Sequence, residues 1–369
     1  MYRRFITGAA LALSTILVGG MVSCSKVSNV DSDSGADTDT DTKGDPDCPE
    51  QEHFLDVSKA VGPGASYDAP QLDAWCEGDT LVVESNGLPH YTFVAITPNP
   101  LVTQDWHWEV TRSPQVADEP TSLPLLGYAG FAVNGVPFYG PNEAAVPDPY
   151  GDPIYNDIMD GCMGHVGGEY HNHALYVKCL IESSLVETPW TNPEPSPSEP
   201  SPIVGYAADG FPIYGPYGCL DEECSEVVEF KSSWVQIGDP STYAWDAYQY
   251  QEQGGSENLD RCNGRTGADG SYRYHTTATF PYIIGCYSGT PSSDIGGDGD
   301  GGGGGNGPQT CEDNSDCVDA CPAGSLDCVC HETPRGDKLC VPTCEKDEDC
   351  PVADQPLTCN EDQGICVPG

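Results

Sequence analysis

The stretch "GFAVNGVPFYGP" (Gly130–Pro141) returns as "GYAADGFPIYGP" (Gly205–Pro216), aligned without gaps and identical at seven of twelve positions. Each copy carries an Asn-Gly or Asp-Gly pair, Asn134-Gly135 and Asp209-Gly210. Such pairs favour tight hairpins, because both central residues tolerate positive φ. The proline two positions on cannot donate to a central ladder, which predicts an edge or a bulge there. Tyr139 and Tyr214 then point alike, and Gly-Pro ends each strand. Downstream, "DGCMGHVGGEYHNH" (Asp160–His173) aligns with "DRCNGRTGADGSYRYH" (Asp260–His275), which is two residues longer, and Cys179 answers Cys286. The predicted fold is mainly β: a domain of two related halves built from short strands and disulfides, plus a small disulfide-rich C-terminal module.

Composition agrees. Gly 43 and Pro 33 in 369 residues favour turns and short strands over long helices. Lys+Arg 14 against Asp+Glu 58 gives a net charge of −44, which excludes a nucleic-acid partner, since that needs clustered positive charge. The 19 cysteines divide into Cys24, eight from Cys48 to Cys286, and ten from Cys311 to Cys366. Two even sets predict a disulfide framework outside the cytosol. Repeat symmetry predicts Cys162–Cys179 and Cys262–Cys286, with Cys219–Cys224 beside them.

The N-terminus reads as an export signal: Arg3 and Arg4, an apolar run from Phe5 through Val18, then small residues before Cys24. "MVSC" (Met21–Cys24) resembles the lipobox of bacterial lipoproteins, with methionine where leucine is usual. That resemblance implies cleavage before Cys24, its lipidation and a membrane partner through the lipid anchor. Ser25 then implies the outer membrane or cell surface of a two-membrane bacterium. The remaining boundaries follow composition. Residues 24–51 form an acidic tether, whose Asp37, Asp39, Asp41 run lacks the glycine and closing glutamate of a calcium loop. Residues 52–291 form the main domain, 292–308 a glycine linker and 309–369 the cysteine module. In that module "TCEDNSDC" (Thr310–Cys317) repeats as "TCEKDEDC" (Thr343–Cys350), and Cys321 with Cys328 is left as a private bridge.

Several blocks in order, "VESNGLPHYTF" (Val83–Phe93), "GYAADGFPIYGP" and the runs ending in "YHNH" and "YRYH", resemble the YHYH-domain family from about residue 80 to 290. The family's alternating Tyr-His-Tyr-His run is intact in neither copy. The resemblance implies the domain's identity and points to metal binding.

The residues point the same way. On a strand His171 and His173 share one face, with Cα atoms about 6.6 Å apart, and His165 can fold back as a third ligand. Three imidazoles suit zinc or copper. If the halves pack about a twofold axis, His275 reaches the same centre; His90 is a further candidate and His107 a weaker one. The second copy has Arg265 and Arg273 where the first has His165 and His171. Guanidinium groups bind no metal but grip an anion or carboxylate, or else remain solvated. Asp160 and Asp260 either cap the local turns or orient imidazoles, and Glu169 is a lone candidate base. No hydrolase or phosphate-loop signature is present. Three readings stay open: a lipid-anchored extracytoplasmic metal-binding protein, a metal-dependent enzyme of unknown substrate, and a structural or adhesive surface protein whose histidines form a hydrogen-bonded core.

Overall fold

A computed structural model describes residues 47–144, 150–186, 189–192 and 195–292, with 311, 313–317, 327–332, 338–346, 349–350, 357–360 and 363–368 of the tail. The leader, Cys24, the Asp37–Asp41 run, residues 293–308 of the linker and Cys321 lie outside the described residues.

Strands β1 (Leu72–Glu77), β2 (Thr80–Ser85) and β3 (Trp106–Thr111) form an antiparallel meander. β3 alternates strictly: Trp106, Trp108 and Val110 are buried, while His107, Glu109 and Thr111 are exposed. That is the period-2 pattern of a strand with one face on the core.

The repeats build an eight-stranded sheet. The first half supplies β4 (Tyr128–Ala132), β5 (Pro137–Tyr139), β6 (Gly164–Val166) and β7 (Tyr170–Asn172). The second supplies β8 (Ile203–Ala207) and β9 (Pro212–Tyr214). Two small hairpins intervene, β10 (Tyr217–Cys219) with β11 (Val227–Glu229), and β12 (Trp234–Gln236) with β13 (Tyr248–Tyr250). Then come β14 (Gly264–Thr266) and β15 (Tyr272–His275). The order is β14-β15-β9-β8-β4-β5-β7-β6, a palindrome of the two halves. They meet where β4 pairs antiparallel with β8, in register Gly130↔Ala207, Phe131↔Tyr206 and Ala132↔Gly205. Equivalent repeat positions thus face each other across a pseudo-twofold axis at Phe131 and Tyr206. Phe131 and Trp108 are fully buried and their rings stack at 4.9 Å, which packs the meander onto this axis. In each half a hairpin leads into a parallel pairing, β5 with β7 and β9 with β15.

The hairpin turns differ from expectation. Gly135 N–H donates to the Ala132 carbonyl and Gly210 N–H to that of Ala207, both at 2.9 Å. The glycines have φ of 76° and 84°, and neither Asn134 nor Asp209 is among the positive-φ residues. The turn therefore ends on a left-handed glycine instead of placing two residues there. Pro137 and Pro212 open strands inside the sheet, where a first residue needs no ladder donor, so neither marks an edge; the bulge appears on the strand opposite, as register shifts between Tyr128 and Gly130 and between Ile203 and Gly205.

All three predicted disulfides form: Cys162–Cys179, Cys262–Cys286 and Cys219–Cys224. Cys48–Cys76 adds a fourth, and Arg112 pairs with Glu50 at 2.9 Å, so residues ahead of 52 belong to the folded domain. In the tail, hairpins β16 (Cys328–Glu332) with β17 (Lys338–Pro342), and β18 (Leu357–Asn360) with β19 (Ile365–Pro368), repeat one pattern. First joins third and second joins fourth in each unit: Cys311–Cys330 with Cys317–Cys340, and Cys344–Cys359 with Cys350–Cys366.

Candidate metal centre

β6 and β7 pair so that His165 lies directly opposite His171, and His173 follows one position past the strand end. All three rings are buried. The turn ahead of β6 is held by Asp160, whose Oδ1 accepts from the N–H groups of Cys162 and Gly164 and whose Oδ2 accepts from the Tyr170 hydroxyl at 2.5 Å. Asp260 does the same in the second half, with Cys262, Gly264 and Tyr272. Both aspartates are therefore turn caps, and among the described residues neither hydrogen-bonds an imidazole.

Tautomers follow from the outer nitrogens. His171 Nδ1–H donates to the Glu169 carbonyl at 3.0 Å, and His173 Nδ1–H to the Gly140 carbonyl at 2.7 Å. A neutral imidazole has one N–H, so a ring that is neutral and spends it at Nδ1 presents Nε2 as a bare lone pair. The two Nε2 atoms stand 3.1 Å apart, and His165 Nε2 is 3.1 Å from His171 Nε2. A fourth group closes the cluster: Glu143 places Oε1 3.2 Å from His165 Nε2 and Oε2 3.2 Å from His173 Nε2. The donor atoms of these four residues all lie within 4.8 Å of one another, a set disposed to hold a metal ion.

Electrostatics sharpen the picture. Burial, helped by the neighbouring His165 and His173, pushes His171 well below its ordinary pKa, so the ring is neutral. Burial raises the Glu143 carboxyl, but the two imidazoles beside it, His165 and His173, outweigh that and hold the group well below the usual carboxylate range. Glu169 points elsewhere: it accepts from the Tyr139 hydroxyl, and burial raises its carboxyl. The Tyr139 ring stacks on His171 at 4.0 Å.

Two expected ligands stand apart. His90 has both nitrogens engaged, Nε2 with Ser184 Oγ at 2.8 Å and Nδ1 with Asn134 Nδ2 at 3.2 Å. His275 matches His173 in detail, Nδ1–H donating to the Gly215 carbonyl at 2.9 Å, but sits on β15. The halves join side by side through β4 and β8, so β15 and β7 lie five strand spacings apart, about 24 Å. That is why His275 does not reach the first-half cluster. His107 is exposed between Glu84 and Glu109. Arg265 faces Arg273 across β14 and β15.

Glu143 escaped the sequence reading because it lies on the loop after β5, remote in sequence from His165. A signal existed: "GPNE" (Gly140–Glu143) aligns with "GPYG" (Gly215–Gly218), so the carboxylate vanishes in the copy that loses the histidines. Residues 107–289 match the protein-family model described as "YHYH protein". No curated protein and no solved structure matches the chain.

Proposed function

Residues 107–289 are a YHYH domain, and we propose that this domain holds a transition-metal ion, zinc or copper, through His165, His171, His173 and Glu143. One observation carries the reading: the Nε2 lone pairs of His171 and His173 face each other at 3.1 Å while both Nδ1–H groups are spent on backbone carbonyls. Without a cation those lone pairs repel, unless a buried ring takes up a second proton. One ion satisfies all four donors at once. Donors 3.1 Å apart, each about 2.0–2.1 Å from a shared ion, subtend about 95–102° at it, between octahedral and tetrahedral angles. The backbone carbonyls supply the outer contacts that fix ring orientation at metal sites.

The donor set favours binding over hydrolysis. A catalytic zinc keeps a position open for water, whereas here Glu143 stands ready as a fourth protein ligand. The eight described disulfides fit an oxidising compartment. The lipidation of Cys24 and a place at the outer membrane or cell surface belong to the same proposal. Elemental analysis of the full chain, purified with disulfides intact, tests it. The expected result is one zinc or copper per chain, lost in His171→Ala/His173→Ala; equal metal content in the two proteins would refute the ligand set.

A further inference from the structure

The second half repeats the scaffold of the candidate metal centre with its charge inverted. Gly218 stands where Glu143 does, Arg265 where His165 does and Arg273 where His171 does. Tyr214, the counterpart of Tyr139, lies under the Arg273 guanidinium at 5.2 Å, as Tyr139 lies against His171. No carboxylate can return at position 218 without rearrangement, because a Cβ there would lie 2.7 Å from the Phe230 ring.

Two guanidinium groups now face each other across β14 and β15. Like charges directly opposite on paired strands destabilise the sheet. Asp269 pairs with Arg273, and that carboxylate is 56% exposed, so the pair is weakly held. Among the described residues Arg265 has no ion pair; it donates to the Cys219 carbonyl and lies over Phe230. The result is a local positive excess in a chain of net charge −44.

This excess borders a cavity of about 540 Å³. Arg273 lines it with Tyr214, Tyr206, Phe211 and Tyr272. The Arg273 Nε–H is buried and has no hydrogen-bond partner among the described residues. A buried donor left unmade is costly, so a shift of the Arg273 side chain that brings this donor to a ligand oxygen in the cavity is favoured. The volume lies within the range of small-molecule sites, and in its mixed walls these four rings supply apolar surface, while the Glu50 carboxylate that also lines it is paired with Arg112 at 2.9 Å.

We propose that this cavity binds a small organic acid, its carboxylate on Arg273 and its ring-shaped body against Tyr214 and Phe211, with Arg265 supplying further positive potential. An aromatic acid and a sugar acid share this chemistry. Isothermal titration of the full chain separates them, using benzoate and galacturonate beside the neutral benzyl alcohol and galactose. The expected result is saturable binding of one acid, about tenfold or more tighter than its neutral partner. Arg273→Gln is expected to weaken binding about tenfold or more, by loss of a charged hydrogen bond. His171→Ala/His173→Ala should leave it unchanged, which keeps this result separate from the fate of the metal centre. Absence of acid binding at millimolar concentration overturns the proposal, as does wild-type affinity in a folded Arg273→Gln protein. Should that variant fail to melt cooperatively, Arg265→Gln replaces it: weakened acid binding is expected and unchanged affinity overturns.

Discussion

His171→Leu separates a metal centre from a hydrogen-bonded core most sharply. His171 is the hub, with Nε2 3.1 Å from both His165 and His173 and its ring stacked on Tyr139 at 4.0 Å. Leucine removes the bond to the Glu169 carbonyl, which costs about 1–3 kcal/mol for an acceptor left unsatisfied. It also removes the opposed lone pairs and buries an aliphatic side chain, a gain of about 1.5–3 kcal/mol. These offset, so the metal-free variant is expected within about 1–2 kcal/mol of the metal-free parent. The difference appears with metal. At a free ion concentration one hundred times Kd the parent gains about 2.7 kcal/mol. For a domain of this size that raises Tm by about 5–10 °C. The variant gains nothing, because the ion loses the donor shared by its two histidine neighbours. Thermal melts with zinc, copper and chelator give both numbers. A parent whose Tm ignores both metal and chelator, together with a variant several kcal/mol less stable, would show that the histidines are core residues.

Other consequences follow from the same contacts. Burial lowers His90 and His275 to about 4 from an ordinary 6.5. The unfolded chain then binds more protons as pH falls below 6.5, so stability present above that pH is lost progressively toward pH 4, on the order of 3 kcal/mol per group. Urea midpoints across this window check it, and His275→Gln should flatten part of the slope. Cys162→Ser/Cys179→Ser opens a loop of sequence separation 17 and should cost about 3 kcal/mol in denaturant melts. Metal affinity should fall with it, since Asn172 Nδ2–H donates to the Cys162 carbonyl at 3.0 Å beside the histidines. Tyr170→Phe leaves the buried Asp160 without its 2.5 Å hydroxyl donor and should cost about 1–3 kcal/mol in the same assay.

Much of this architecture is legible in the sequence because duplication writes each signal twice. The paired turn motifs announce the two hairpins, and the matched cysteines announce Cys162–Cys179 and Cys262–Cys286. The alternation in "YHNH" places His171 and His173 on one face, and the short "VGG" turn returns His165 to them. What resists reading is long-range pairing. Nothing local reveals that β4 and β8 join edge to edge, and that one contact decides that His275 lies far from His173. Glu143 reaches the centre only because β5 runs parallel to β7, a register no periodicity encodes. The turn type also hides, since Asn-Gly serves both a two-residue turn and one that ends on a left-handed glycine.

X-ray absorption at the edge of the bound metal addresses the four proposed donors most directly. The account predicts four light scatterers at about 2.0–2.1 Å with the outer-shell pattern of three imidazoles, and one imidazole fewer in His165→Ala. A sulfur shell near about 2.3 Å, a spectrum without imidazole, or a protein that takes up no metal at all would contradict it.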